Sequence, residues 1–392
     1  MRALAVITLA GALAVTSVGC ADDPPPPFEF FDACAPDQVP DATCYASKRD
    51  PGSDNVALAS AIAARYMAEH PATEETWGWE DGVLMYAMTE LYRVTGDQAV
   101  HNYYRDYMDH QIDEGYGISL SDSCPPALTA IALYAETGEQ KYRDVIDEVM
   151  LYLFELATRN EQGGINHLGG LAHVTLWVDS LFMFGMVLTR WGEVDDNREA
   201  LDEMGNQLSI FSDLLQDKPT GLFVHAYNWW DPQDPDVYWA RGNSWITTSA
   251  ADYLRARSLR HEDDPRAAEI LASHTTGALA DQDESGGWWT VMNRPGETYL
   301  ETSATALFGY GLARAYRYGL AGEDVRPPLA QAVDYVKSQI VNDTMGRPVV
   351  TNISGPTMAG DFQNYADVPL EDDLSYGVGA AILVLIESSG LP

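Results

Sequence analysis

Three stretches of this chain bring carboxylates, a histidine, an arginine and aromatic rings close together. The densest reads His173-Val-Thr-Leu-Trp177-Val-Asp179-Ser-Leu-Phe-Met183. A carboxyl group walled by Trp177, Phe182 and Met183 resists ionisation and titrates above the ordinary Asp value of about 3.9. That is the property of a general acid. Asp179 also stands just before an apolar run, where an Asp serves as a plain helix N-cap. Asp122, in Leu120-Ser-Asp122-Ser-Cys-Pro-Pro, poses the same choice. It is either a cap, helped by the prolines after it, or a partner that shares one proton with Asp179. The third stretch is Tyr238-Trp239-Ala-Arg241-Gly-Asn-Ser-Trp245. Arg grips a carboxylate through two parallel hydrogen bonds, and indole faces stack on sugar rings. An Arg held between core tryptophans gives the same pattern. His225 follows a Gly-Leu turn, and Trp77-Gly-Trp79 repeats the aromatic theme.

Other chemistries lack their signatures. There is no Gly-x-Ser-x-Gly elbow and no phosphate-binding Gly-Lys loop. No Cys-x-x-Cys or His-Glu-x-x-His occurs, so neither a metal nor a cofactor is expected. Lone His167 and His173 fit structural roles. The acidic loop Asp231 to Asp236 is either a solvated loop or a calcium loop. The chain of 392 residues carries 59 acidic and 23 basic side chains, a formal net charge of −36. This charge argues against nucleic acid and against an anionic membrane face. It also means that an anionic substrate must be caught by local cations against the global field. With 46% hydrophobic and 10% aromatic residues, the charge belongs to a folded globule.

The elements that would position these residues are helical. Leu201, Met204, Leu208, Phe211 and Leu215 mark an amphipathic stripe, as do Val145, Val149, Tyr152 and Leu156. A second class of segment is apolar all round: Gly82 to Met88, Pro126 to Leu133, Leu181 to Met186, Ser303 to Tyr310 and Gly377 to Leu383. Such helices are buried. Turns at Thr95-Gly-Asp97, Thr137-Gly-Glu139, Gly192-Glu193 and Gly322-Glu323 separate the two classes, with Glu262-Asp-Asp264 a degenerate copy. Buried inner helices alternating with amphipathic outer ones predict an all-α (α/α)6 toroid, a six-hairpin barrel, over residues 55–392. An open helical solenoid is the rival. No run alternates as a sustained strand.

The start of the chain reads as an address. Met1-Arg2 precedes an apolar run from Ala3 to Val18, too short to span a membrane and typical of a signal core. It ends in Thr16-Ser-Val-Gly-Cys20, which resembles a bacterial lipobox, with an ordinary secretory signal as the alternative. Residues 1–19 are then a lipoprotein-type signal peptide and Cys20 the lipidated first residue of the mature chain. Residues 20–54 form a short irregular tether containing Pro24 to Pro27. Cys34 and Cys44 are candidates for a disulfide in that exported segment. The expectation is an exported bacterial lipoprotein anchored to a membrane, periplasmic or at the cell surface, and monomeric.

Trp177-Val-Asp179-Ser-Leu-Phe-Met183, Trp239-Ala-Arg241-Gly-Asn-Ser-Trp245 and Glu301-Thr-Ser-Ala-Thr-Ala-Leu-Phe-Gly-Tyr310, with the opening Trp77-Gly-Trp79…Gly82 and the Tyr376-Gly-Val-Gly-Ala-Ala close, resemble the unsaturated rhamnogalacturonyl hydrolases of glycoside hydrolase family 105. The related unsaturated glucuronyl hydrolases form family 88. The resemblance runs in order from about residue 57 to 390. It implies an (α/α)6 barrel that removes the terminal 4,5-unsaturated uronic acid left on oligosaccharides by polysaccharide lyases. It implies that Asp179 is the general acid/base, protonating C4 of the C4=C5 vinyl ether while water adds at C5. Asp122 matches the family's second active-site Asp. His225 matches its His, and Arg241 with Trp239 and Trp245 matches the uronate-binding stretch. Trp177, Trp79 or Trp77, and His167 complete the substrate-binding set. Neither a glycosyl-enzyme nor a metal is implied, unlike the two-carboxylate displacement of ordinary glycosidases.

Three positions depart from the family pattern. Ser244 and Ala304 stand where Gly is usual, and Val174-Thr-Leu-Trp177 replaces a Gln-Met-Trp stretch. A side chain added at Ser244 is expected to alter subsite shape. Two other readings share the barrel: a surface glycan-binding protein without turnover, and a lyase or epimerase.

Overall fold

The computed structural model describes residues 49–391. The signal segment, Cys20, Cys34 and Cys44 lie outside the described residues. Cys124, inside them, is a buried free thiol.

The chain alternates outer and inner helices. The outer set is α1 (Asp54–Glu69), α3 (Gln98–Glu114), α5 (Gln140–Leu151), α8 (Arg198–Leu215), α10 (Pro265–Ala280) and α12 (Arg326–Ser338). The inner set is α2 (Trp79–Thr95), α4 (Ala127–Thr137), the pair α6 (Ser180–Met183) and α7 (Gly185–Val194), α9 (Ala240–Leu259), α11 (Thr302–Arg317) and α14 (Ser375–Ser388). A short α13 (Phe362–Ala366) lies in the last long loop. Each inner helix packs on the next, and α14 returns to pack on α2. The ring is therefore closed: an (α/α)6 toroid, not an open solenoid.

The two ends of the ring differ. Inner-to-outer turns are tight and built from local signals. Gly96 and Gly138 end α2 and α4 in the left-handed conformation, at φ 66° and 69°. The side chains of Asp97 and Asp264 cap the next helices. The Gly192-Glu193 turn is displaced: α7 continues to Val194, and Asn197 caps α8. Outer-to-inner connections are long and crowd the other end, the mouth. They hold short antiparallel ladders: β1 (Leu176–Trp177) with β2 (Ala226–Tyr227), β3 (Trp288–Trp289) with β4 (Leu300–Glu301), β5 (Ile340–Asn342) with β6 (Pro348–Val350), and β7 (Ile353–Ser354) with β8 (Leu370–Glu371). Pairs of two or three residues are too short to leave an alternating pattern in sequence.

The apolar inner segments form one continuous core. At the narrow end a charged plug closes the ring. Arg314 reaches Glu90 at 3.2 Å and Glu387 at 3.0 Å, and Arg190 Nε lies 3.3 Å from Asp252 Oδ2. These groups come from the C-terminal halves of α2, α7, α9, α11 and α14, where helix dipoles favour cations.

Candidate active site

The mouth ends of the inner helices converge on a cavity of about 140 Å³. Trp79, Asp122, His167 and Trp177 line one part of its wall. Asp179, Met183, Trp239 and Arg241 line another, and Pro356, Thr357 and Met358 roof it. Residues from six separate stretches thus face one space.

Neither carboxylate caps a helix. Asp179 precedes α6 in right-handed helical conformation and makes no side-chain cap bond. Asp122 sits in a 3₁₀ turn, Ser121–Ser123, ahead of the prolines that start α4. Gly82 permits this approach, since a Cβ there would meet Pro125 at 2.7 Å. Both acids are left free to face the cavity.

His225 is the neighbour of Asp179. Its Nε2 lies 3.2 Å from Asp179 Oδ2, off the hydrogen-bond line, and neither atom has another hydrogen-bond partner among the described residues. Its Nδ1 is 3.0 Å from the Tyr365 hydroxyl, which in turn receives the Gly360 N–H at 3.3 Å. With Nε2–H facing Asp179, Nδ1 accepts from Tyr365. The ring stacks on Trp239 at 4.3 Å and meets Trp177 edge-on. Burial pushes the His225 pKa down, against the pull of Asp179. Burial pushes Asp179 up, but the adjacent His225 imidazole and His167 outweigh it, so its carboxyl titrates below the ordinary value. The pair is a carboxylate beside a neutral imidazole.

Asp122 behaves in the opposite way. Burial raises its pKa, His167 opposes, and the Asp179 charge raises it further. His167 Nε2 stands 3.8 Å from Asp122 Oδ2, and its Nδ1 lies 3.1 Å from the Ser180 hydroxyl. Its ring lies flat on Trp177 at 4.5 Å and 2°. His167 therefore lies between the two acids and is a site residue as well as a packed one. In the sequence, the aromatic wall marked Asp179 as the group that keeps its proton. In the structure the raised carboxyl is that of Asp122, chiefly through burial, whereas His225 and His167 bring that of Asp179 below the ordinary value despite its burial.

Arg241 also departs from expectation. Its Nη1 donates to Glu301 Oε1 at 3.1 Å and to Ser354 O at 2.9 Å. Its Nη2 donates to Gly355 O at 2.8 Å and to Thr357 Oγ1 at 3.1 Å. The guanidinium lies over Trp239 and Tyr376. Its terminal donors hold Glu301 and the roof loop, and the ion-paired side chain lines the cavity. Trp245 is withdrawn from the site: it is fully buried, packed on Phe182 at 4.4 Å, and absent from the lining. Of the two early tryptophans, Trp79 lines the cavity. Trp77 stacks on Tyr116 and donates to Ser123 O at 3.0 Å.

The Arg241-Gly-Asn run positions the rest. A Cβ on Gly242 would meet Val178 at 2.7 Å and the Trp239 ring at 2.8 Å. Asn243 accepts the Phe223 N–H at 2.8 Å and donates to Phe223 O at 2.9 Å, fixing the segment that leads to His225. Ser244 folds back onto its own helix, donating to Arg241 O at 2.7 Å, and does not reach the cavity. Ala304 is likewise buried and outside the lining. The sequence had not marked Tyr365, Glu301 or the roof residues 356–358 as parts of the site. Tyr365 and residues 356–358 lie far along the chain and carry no local motif; Glu301 heads one of the family-like stretches, but nothing local marks it as the partner of Arg241.

Comparisons with known proteins agree with this architecture. The family model described as Glycosyl Hydrolase Family 88 matches residues 57–391. The unsaturated rhamnogalacturonyl hydrolase YesR of Bacillus subtilis is 27% identical over 320 residues, covering 79% of this chain and 89% of its own. A solved structure from Klebsiella pneumoniae, described as a possible member of family 105, superposes with a TM-score of 0.76 at 26% identity, covering 87% of this chain and 94% of that one. A similar protein from Salmonella enterica gives a TM-score of 0.75 at 27% identity, covering 86% and 96%.

Proposed function

The chain belongs to Glycosyl Hydrolase Family 88, and from that premise we propose that it removes a terminal 4,5-unsaturated uronic acid from lyase-generated oligosaccharides. The observation that carries this reading is the pair Asp122 and Asp179, of opposite pKa shift, facing one cavity beside Arg241 and three indole rings.

The chemistry follows from the site. The uronate enters with its carboxylate toward the Arg241 wall, and indole faces hold the ring. Its negative charge, brought beside Asp122 and Asp179, raises both carboxyl pKa values. Asp179 thereby acquires a proton in the complex and delivers it to C4. The cation that develops at C5 and the ring oxygen is taken by water, whose proton returns to Asp179. The new hemiketal opens by breaking C5–O5, leaving a ketone at C5 and a hemiacetal at C1. Collapse of that hemiacetal releases the remaining sugar. His225 orients Asp179 and returns it to the ionised state once the product leaves.

The name of the Bacillus relative and the family 105 likeness support rhamnogalacturonan fragments as the substrate. The lipobox-like Thr16-Ser-Val-Gly-Cys20 supports export and anchoring by lipid at Cys20, with the enzyme working as a tethered monomer on imported or surface oligosaccharides.

The test is loss of the ultraviolet absorbance of the C4=C5 bond on incubation with a panel of lyase products. Asp179→Asn is expected to lower the rate by about 10³-fold while leaving the circular dichroism spectrum unchanged. Persistent absorbance across pectin-, ulvan- and glycosaminoglycan-derived products ends this reading.

A further inference from the structure

Outside the cavity, the most exposed aromatic surface of the mouth is a stacked pair of tryptophans. Trp229 and Trp230 lie with ring centroids 4.0 Å apart and planes 28° off parallel. Trp229 packs edge-on against Trp177 at 4.8 Å, and Trp177 lines the catalytic cavity. Trp230 keeps 57% of its surface exposed. A stripe of indole therefore leads from the cavity wall to open solvent. Met358, a roof residue of the cavity, and Leu171 are 56% and 54% exposed.

The stripe is rigidly mounted. Ala226–Tyr227 pairs with Leu176–Trp177 just before it. Asn228 takes a left-handed φ of 56° and donates to Val174 O at 2.7 Å, turning the chain so that both rings stand at the rim. His173 Nε2 closes the loop on Asn228 O at 2.7 Å, with its ring 5.4 Å from Trp230. The Trp229 indole N–H is buried and has no acceptor among the described residues. A preformed, exposed aromatic surface of this kind costs solvation and marks a binding surface. Flat indole faces match the C–H faces of sugar rings, and continuity with the cavity makes the distal part of the same oligosaccharide the occupant.

We propose that Trp229 and Trp230 form a distal subsite that holds the sugar units beyond the one released with the scissile bond, so that the enzyme prefers longer oligosaccharides to disaccharides. This rests on the hydrolase reading above for the identity of the chain that lies across the site. The probes are the unsaturated disaccharide and tetrasaccharide made by rhamnogalacturonan lyase. The readout is the ratio of their kcat/KM values. That ratio is expected to be about tenfold in the wild type, the scale of one good aromatic contact. It is expected to fall to near one in Trp230→Ala and to be largely restored in Trp230→Phe, which keeps a ring and guards against simple misfolding. A wild-type ratio near one, or an unchanged ratio in Trp230→Ala, overturns the subsite. If the wild type turns over neither probe, the hydrolase reading fails on its own. Calorimetry then decides the subsite: Trp230-dependent tightening for the tetrasaccharide sustains it, and equal affinity for both lengths overturns it.

Discussion

At the scale of single residues, the site turns on where one proton sits. Burial raises the Asp122 carboxyl against His167, whereas His225, 3.2 Å from Asp179, helps lower that carboxyl despite its burial. In the free enzyme Asp122 therefore takes up a proton at a higher pH than Asp179 does. An arriving uronate adds a third negative charge and raises both values. The profile of kcat/KM reports the free enzyme, and that of kcat reports the complex. The basic limb of kcat is expected at a higher pH than that of kcat/KM. Where Asp122 is ionised, Asp122→Asn removes its charge from beside Asp179, lowers the pKa of the catalytic acid in the complex, and moves the basic limb of kcat to lower pH. Coincident limbs, or a shift the other way, would contradict this proton assignment. The residue types of this site were legible in sequence, but their ionisation was not. Aromatic walls around Asp179 are visible locally, whereas the imidazole that overrides them comes from another loop.

At the scale of elements, α9 shows both what patterning reveals and what it hides. Five inner helices announced themselves as apolar runs, and α9 did not. It is buried from Ala240 to Ala256 although rich in Ser, Thr, Asn and Asp. Its polar groups are satisfied within the ring: Ser249 donates to Trp245 O at 2.7 Å, Ser244 to Arg241 O, and Thr248 to Leu307 O on α11 at 3.1 Å. Burial of hydroxyls with back-bonded partners looks, in sequence, like an exposed face. Asn243 is the member with most at stake. Asn243→Ala would strand the buried N–H and C=O of Phe223, at a cost of about 1–3 kcal/mol for the stranded groups. The expected outcome is a lower midpoint in urea together with a kcat loss larger than the change in KM, because the segment leading to His225 loosens. A variant with normal stability and full kcat would show that Asn243 does not hold that segment.

At the scale of the molecule, closing the ring places charges inside it. Glu387, buried beside Arg314 and Arg317, titrates at about 2, against an ordinary value of 4.5. A depressed folded-state value contributes stability above pH 4.5 and loses it as pH falls toward 2, here about 3 kcal/mol. Asp252, Glu193 and Glu90 shift in the same direction through their arginine partners. Between pH 7 and 4.5, raised carboxyls and lowered histidines oppose each other, Glu75 and His274 among them. Burial raises Glu75 to about 7, so its folded form gains from protonation as pH falls. Burial lowers His274 to about 4, so the folded form loses by refusing a proton that the unfolded chain accepts. Denaturant midpoints are therefore expected to stay nearly level from pH 7 to 4.5 and to drop steeply below. A steady decline across the whole range would show that the plug does not govern acid unfolding.

The amino-acid order by itself determined the alternation of buried and amphipathic helices, the glycine and acidic caps between them, and the kinds of side chain available at the mouth. These are local properties, written within one or two turns of helix. Only the tertiary structure decided that Trp245 belongs to the core while Trp79 faces the cavity, that Arg241 spends its donors on a loop more than a hundred residues away, and that the carboxyl raised by its surroundings is that of Asp122 rather than Asp179. Each of those outcomes depends on a partner brought from a distant part of the chain, and such encounters exist only once the ring has closed.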